Sequence, residues 1–170
     1  MSNNTCTLWQ LIKKYMRVIP IFCNFANVKD TKKKNMAQEK YIFTLEMKVR
    51  DYEIDSEGIV NNANYLHYLE HTRHEFCNMA GFSFRKMQEN GIDPVLNRIE
   101  VDYKTPLRSG DVMLSKLWVE MKGVRFIFHQ EIYNKMTGEL SIKALVSCVC
   151  LEGGKLSRGE VLAEAFKQYL

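Results

Sequence analysis

DSEGIVNNANYLHYLEHTRHEF, Asp55 to Phe76, passes from turn chemistry into helical periodicity without a break. Gly58 and the pair Asn61–Asn62 punctuate its first third. Beyond them Tyr65, Leu69, Thr72, Phe76 and Met79 follow in steps of four, three, four and three, which predicts one apolar stripe of a long amphipathic helix. Gly81 supplies the stop. Two chemistries compete inside this stretch. His67-x-x-Glu70-His71 has the spacing of one class of zinc-peptidase helix. Asp55, three residues ahead of Gly58, offers a carboxylate just before a helix N-terminus.

The pattern on either side of the helix decides the fold class. Tyr41–Arg50 is rich in β-formers and alternates in character, so it predicts a strand. Phe84–Glu89 predicts a short helical turn. After Gly91 strand patterns dominate: Asp93–Tyr103, then Val112–Met121 with Met113, Leu117, Val119 and Met121 on one face, then Phe126–Asn134 and Leu140–Leu151. "KGVR", "NKMTGE" and "EGGK" read as the turns that end these strands, and Val161–Leu170 predicts a C-terminal helix. Strand, long helix, then four antiparallel strands is an α+β order, with helix and sheet segregated rather than alternating. An antiparallel sheet with one apolar face must bury it, and one long helix is available to cover it.

Composition narrows the class further. The chain has 170 residues, 46% hydrophobic and 26% charged, enough for one soluble globular domain with a sizeable core. The net charge of +4 is unevenly placed. Residues 1–35 carry Lys13, Lys14, Arg17, Lys29, Lys32, Lys33 and Lys34 against the lone acid Asp30, which leaves the remainder slightly acidic. No nucleic-acid footprint is expected. Cys6, Cys23, Cys77, Cys148 and Cys150 form no C-x-x-C pair, so reduced thiols and a cytoplasmic location are expected. The apolar run Val18–Val28 is interrupted by Pro20 and Asn24 and is too short to span a bilayer, so no membrane partner is expected. Residues 1–36 read as a weakly ordered extension, or as sequence ahead of a true start at Met36, and residues 37–170 as the single domain.

The zinc reading meets an obstacle on the helix itself. At roughly 100° per residue, His67 lies about 200° around from Tyr65, and His71 and His74 fall on the same far side. Glu70 and Asn78 share that polar face, and no third ligand suggests itself, so no metal is expected. The other end of the stretch has more to offer. A helix's first turn leaves N–H groups unpaired and carries a partial positive charge, so it can hold an oxyanion formed during acyl transfer. Asn61 and Asn62 are suited to the N-cap, and a carboxylate beside them can act as nucleophile or general base. From the spacing alone Asp55 and Gly58 also fit an ordinary turn.

The run Asp55-Ser56-Glu57-Gly58-Ile59-Val60-Asn61-Asn62-Ala63-Asn64-Tyr65-Leu66 resembles the D-x-x-G-x-V-x-x-x-x-Y-L signature of the 4-hydroxybenzoyl-CoA thioesterase-like acyl-CoA thioesterases. "VRDYEID" before it, "YLEHTRHEF" after it and "VDYKTPLRSGDVM" (Val101–Met113) are similar to the same family, and the resemblance covers about residues 41–151. It implies the hotdog fold, a long central helix wrapped by a curved antiparallel sheet of five or six strands. It also implies a homodimer or homotetramer with active sites at the dimer interface. On this resemblance Asp55 is the catalytic carboxylate, the backbone N–H of Asn62 polarises the thioester carbonyl, and Gly58 permits the turn. Lys122 and Arg125, flanking a hairpin turn, would approach the phosphates of coenzyme A, and they also read as ordinary solvated turn charges. No cofactor is implied. The hydroxybenzoyl-specific members carry aromatic residues where Asn61 and Asn62 stand here, so an aliphatic acyl-CoA is the expected substrate. The other class of function left open is a non-catalytic hotdog protein that binds acyl-CoA as a sensor or scaffold.

Overall fold

The computed structural model describes residues 40–170. The expectations for residues 1–36, including the run Val18–Val28 and a start at Met36, lie outside the described residues. The first strand, β1, is Phe43–Lys48. It is shorter than expected because the chain leaves the strand conformation for a 3₁₀ turn at Asp51–Glu53. Helix α1 follows at Asn62–Met79, then α2 at Phe84–Glu89. Strands β2 (Ile92–Tyr103), β3 (Val112–Lys122), β4 (Arg125–Asn134), β5 (Leu140–Glu152) and the two-residue β6 (Lys155–Leu156) build the rest of the sheet. Helix α3, Glu160–Phe166, closes the described chain.

The sheet has six antiparallel strands in the order β1-β3-β4-β5-β2, with β6 beside β5. Its alternation is that of a half-buried sheet. Met113, Ser115, Leu117 and Val119 of β3 are buried, as are Phe126, Phe128, Gln130 and Ile132 of β4 and Ile142, Ala144, Val146, Cys148 and Cys150 of β5. Register carries these positions across the sheet: Leu117 opposes Gln130, and Phe128 opposes Val146. Helix α1 lies over this face, and the arrangement is the hotdog fold that the sequence resemblance implies.

The buried side of α1 is wider than the single stripe read from the sequence. Tyr65, Tyr68, Leu69, Thr72, Arg73, Phe76 and Cys77 are all buried, in alternating steps of three and one. That spacing is the broad buried face of an amphipathic helix packed on a core. Met79, expected in the stripe, is 49% exposed, because the helix ends there and the chain turns away from the sheet. Two buried side chains on this face are polar and reach acceptors on the strands or the helix itself. The Thr72 hydroxyl bonds Ser115 Oγ at 2.7 Å and Tyr68 O at 2.7 Å. Arg73 donates to Gln130 Oε1 at 2.8 Å.

Phe76 is the centre of the aromatic core. Its ring lies 5.2 Å from Phe166, 5.2 Å from Tyr169, 6.1 Å from Phe43 and 6.4 Å from Phe128, so it joins the central helix to both ends of the described chain and to the sheet. Helix α3 can come this close because Gly159 stands at its start: a Cβ there would lie 2.8 Å from the Phe126 ring, and φ is +68°. Phe76→Ala is expected to cost about 3–5 kcal/mol, the range for deleting a fully buried aromatic side chain. Urea unfolding monitored by far-UV circular dichroism checks this, and a loss below about 1 kcal/mol would show that the site repacks.

Candidate active site

The loop between β1 and α1 is built around Glu53, a carboxylate with only 5% exposure. A buried carboxylate needs partners, and Glu53 has them on both sides. Its Oε2 accepts from the Arg50 backbone N–H at 2.7 Å and from the Tyr68 hydroxyl at 2.7 Å. Arg50 Nη1 adds a bond of 3.3 Å to Oε1. The Glu53 carbonyl accepts from the Asn61 N–H at 2.9 Å and from Asn64 Nδ2 at 2.8 Å. One residue thus ties the loop to the first turns of α1. Burial, followed by the Glu53 contact, pushes the Tyr68 phenol well above its ordinary range, so Tyr68 acts as a donor.

Asp55 sits two residues beyond this anchor, half-buried. Its N–H donates to Ile59 O at 2.9 Å, and its carbonyl accepts from Gly58 at 3.1 Å, which closes a tight turn. Gly58 takes φ +74°, in the left-handed region that favours glycine. The side chain folds back on the same loop: Oδ1 accepts from Glu57 N–H at 3.0 Å and more weakly from Ile59 N–H at 3.4 Å. Oδ2 makes no hydrogen bond among the described residues. The carboxylate is therefore aimed by one oxygen and presents the other.

Helix α1 begins beside it. Asn61 is the N-cap, with Oδ1 accepting from Ala63 N–H at 2.9 Å. Asn62 is the first helical residue, and its N–H has no acceptor among the described residues, as expected for a first-turn donor. Asp55, Asn61, Asn62 and Tyr65 line one cleft, closed on the far side by Tyr103, Lys104, Thr105 and Pro106 and floored by Ser141. The cleft spans about 560 Å³, within the usual range for a small-molecule site. Tyr65 Oη accepts from Leu107 N–H at 3.0 Å, and Tyr103 Oη donates to Asn62 O at 3.1 Å. Burial raises the Tyr65 phenol, and the Leu107 bond offsets that only in part, so Tyr65 is a neutral hydroxyl. The β2–β3 connection holds the loop from outside: Val60 N–H bonds Leu107 O at 2.9 Å and Arg108 Nη1 bonds Gly58 O at 3.2 Å.

The structure thus brings together Asp55, Gly58 and the Asn62 N–H. It does not bring Lys122 and Arg125 to them within one chain. The Asp55 loop is fastened near the start of β3, whereas Lys122 and Arg125 flank the hairpin at its far end, about 30 Å away along the strand. Lys122 pairs with Glu120 at 2.8 Å. The histidines separate too. His67 and His71 are exposed beside Glu53 and Tyr68, while His74 packs on Phe84 with ring centroids 4.1 Å apart. Among the described residues no group of three or more His, Cys, Asp or Glu is arranged to hold a metal ion.

Tyr103, Lys104 and Thr105 stand in the run Val101–Met113 that carries part of the resemblance, but no site role was read for them there, and Ser141 lies outside every quoted motif. They reach the cleft because β2 pairs with β5 in a register that sets Tyr103 opposite Ile142. Tyr65 was read as part of the apolar stripe, and its hydroxyl at the cleft is a second role for a core residue.

Over residues 49–167 the chain matches the thioesterase-like superfamily. YneP of Bacillus subtilis is 38% identical over 109 residues, 63% of this chain and 78% of its own length. The acyl-acyl carrier protein thioesterase ATL2, chloroplastic, of Arabidopsis thaliana is 34% identical over 109 residues, and the match spans 64% of this chain but only 58% of ATL2. The long-chain acyl-CoA thioesterase FadM of Escherichia coli is 30% identical over 108 residues, 63% of this chain and 81% of FadM. A crystal structure of a protein from Aquifex aeolicus superposes with a TM-score of 0.68 at 30% identity, covering 72% of this chain and 98% of the other.

The Glu53 anchor can be tested apart from any chemistry. Glu53→Ala leaves the Tyr68 hydroxyl and the Arg50 N–H without their acceptor and is expected to cost about 2–3 kcal/mol. Tyr68→Phe, which removes a single bond, should cost about 1 kcal/mol. Chemical denaturation of both variants checks the order, and equal costs would show that Glu53 does not anchor the loop.

Proposed function

The chain belongs to the thioesterase-like superfamily, a family of thioester hydrolases, and on that premise we propose that it hydrolyses an acyl-CoA to the free acid and coenzyme A. The observation that carries this reading is the Asp55 carboxylate, held through Oδ1 by its own loop and open through Oδ2, in the same cleft as an unpaired N–H at the start of α1. The Asn62 N–H and the helix dipole would stabilise the oxyanion that forms as the thioester carbonyl is attacked. Asp55 acts in one of two balanced ways. As nucleophile it displaces the coenzyme A thiolate and forms a mixed anhydride, which water then opens to the acid. As general base it takes a proton from water, the resulting hydroxide adds to the carbonyl, and the thiolate leaves. The activity is assigned to residues 37–170.

The acyl group is read as aliphatic. Asn61 and Asn62 offer no aromatic wall at the helix start, and FadM is named for long-chain acyl-CoA. The enzyme is further read as a homodimer or homotetramer. Strand β2 is twelve residues long, pairs on one side only among the described residues, and exposes Val95 at 40% and Leu96 at 44%. Such an edge invites pairing with a second copy. Arg125 opposes Val149, and Val149 opposes Val95, so the Lys122–Arg125 hairpin belongs to the Ile92 end of β2. Antiparallel pairing of two β2 strands would carry a second copy's hairpin toward the Tyr103 end, where coenzyme A phosphates could meet Lys122 and Arg125.

Asp55→Asn should fold and assemble normally and lose hydrolysis by about 100-fold or more, measured as thiol release with a trapping reagent across acyl-CoA chain lengths. Wild-type turnover in that variant would remove Asp55 from the mechanism, and no turnover by the unaltered chain on any chain length would favour an acyl-CoA sensor. Lys122→Glu with Arg125→Glu should raise KM for acyl-CoA more than it lowers kcat, because the contact is made equally in ground and transition states. An unchanged KM would remove only the phosphate contact.

A further inference from the structure

A second cavity lies under the other half of α1. It is bounded by α1, α2, α3 and the sheet, opens to solvent on one side, has a volume of about 190 Å³, and is lined by Glu70, Arg73, His74, Met87, Phe128 and Phe166 among others. It shares no lining residue with the Asp55 cleft. Arg73 is eleven residues beyond Asn62 on the same helix, which at 1.5 Å per residue is about 16 Å.

Arg73 makes this cavity chemically unusual. Its side chain is 9% exposed, yet the hydrogen bond found for it among the described residues goes from Nη1 to a neutral acceptor, Gln130 Oε1 at 2.8 Å. Gln130 is itself fully buried and fixed by its Nε2 bond to Leu69 O at 3.0 Å, so its amide oxygen is fixed toward Arg73. No carboxylate among the described residues lies within salt-bridge distance of the guanidinium. Glu70, one turn earlier, is more than half exposed and faces His74 at 4.0 Å. Burial draws the Arg73 pKa down, but a guanidinium keeps its charge in a protein. A buried cation without an anion is costly, and a guanidinium retains five N–H donors in a planar fork that matches a carboxylate. Glu70 and His74, both partly exposed, also line the cavity. The walls Phe128, Phe166 and Met87 are apolar and buried, at 4%, 0% and 2% exposure.

We propose that this cavity is a second ligand site, distinct from the Asp55 cleft, which takes a small monocarboxylic acid with its carboxylate on Arg73 and its hydrocarbon body against Phe128, Phe166 and Met87. The volume sets the size. An apolar cavity of about 150 Å³ holds benzene, so a space of about 190 Å³ admits a chain of roughly six to eight carbons. The charge sets the headgroup, since an alcohol or hydrocarbon of the same length leaves Arg73 unpaired. The site rests on Arg73 and its surroundings and not on the hydrolase reading of Asp55.

The test uses the full chain labelled with ¹³C at the methionine methyls, with the Met87 resonance assigned through Met87→Leu. Sodium hexanoate should shift the Met87 methyl saturably, with an affinity at least about tenfold better than that of hexan-1-ol. Arg73→Met, which keeps apolar bulk and removes the charge, should bind acid and alcohol alike. Asp55→Asn should bind hexanoate as the unaltered chain does. A Met87 methyl that hexanoate does not move, an alcohol that binds as tightly as the acid, or a hexanoate affinity that survives Arg73→Met would each overturn the proposal, and a hexanoate affinity that changes with Asp55→Asn would overturn its separateness. Should Arg73→Met fail to fold, the comparison of acid with alcohol on the unaltered chain still decides.

Discussion

The geometry of the cleft depends on one buried carboxylate that takes no part in the proposed chemistry. Glu53 accepts from Arg50 and Tyr68 with its side chain and from Asn61 and Asn64 with its carbonyl. It therefore fixes the loop to the helix from both ends of a single residue. The energetic logic is that of a satisfied buried polar network: each member is costly to strand and cheap to keep. Asp55 and the N-cap Asn61 lie two and eight residues further on. Their placement follows because the loop between them has little freedom, closed by the Ile54–Val60 bridge and by the left-handed Gly58.

The same helix divides the molecule chemically. Its N-terminal half meets polar groups: the Tyr65 and Tyr68 hydroxyls, the Asp55 loop and the β2–β3 connection. Its C-terminal half meets the aromatic core around Phe76 and Phe166. Between them, Thr72 with Ser115 and Arg73 with Gln130 stitch the helix to β3 and β4. Side-chain bonds of this kind fix the rotation of the helix over the sheet, where apolar packing alone tolerates slippage. The Arg73 charge exceeds what that stitching needs, and this is why the second cavity invites a ligand.

The outer face of the sheet is polar yet ordered. Glu131, 9% exposed, accepts from the Tyr41 and Tyr133 hydroxyls. Trp118 and His129 stack in parallel at 3.6 Å, and His129 Nε2 lies 2.7 Å from Glu120. Cross-strand pairs such as Trp118 with His129 reinforce the register of β3 against β4. That register in turn sets which residues arrive on the inner face.

Local pattern was enough for the element order and the α+β class, because turn residues, caps and periodicity act over a few neighbours; it left Asp55 and Gly58 open to an ordinary-turn reading, and the Asp55–Gly58–Asn62 assignment came from the family resemblance. The carboxylate, the left-handed glycine and the helix start are all contained in eight residues. Position across the sheet was not legible. Tyr103 and Ser141 meet Asp55 through strand register, Arg73 lies on a buried helix face wider than the single stripe read from apolar residues, and Met79 fell outside the core where the helix stopped. Lys122 and Arg125 were legible as a charged hairpin, but its distance from Asp55 was set by the length of β3. The proximity of Asp55, Gly58 and the helix start follows from their being sequence neighbours. Chemistry that depends on strands meeting across many residues was decided only when the sheet closed around its helix, because register and curvature are properties of the whole core and of no single segment.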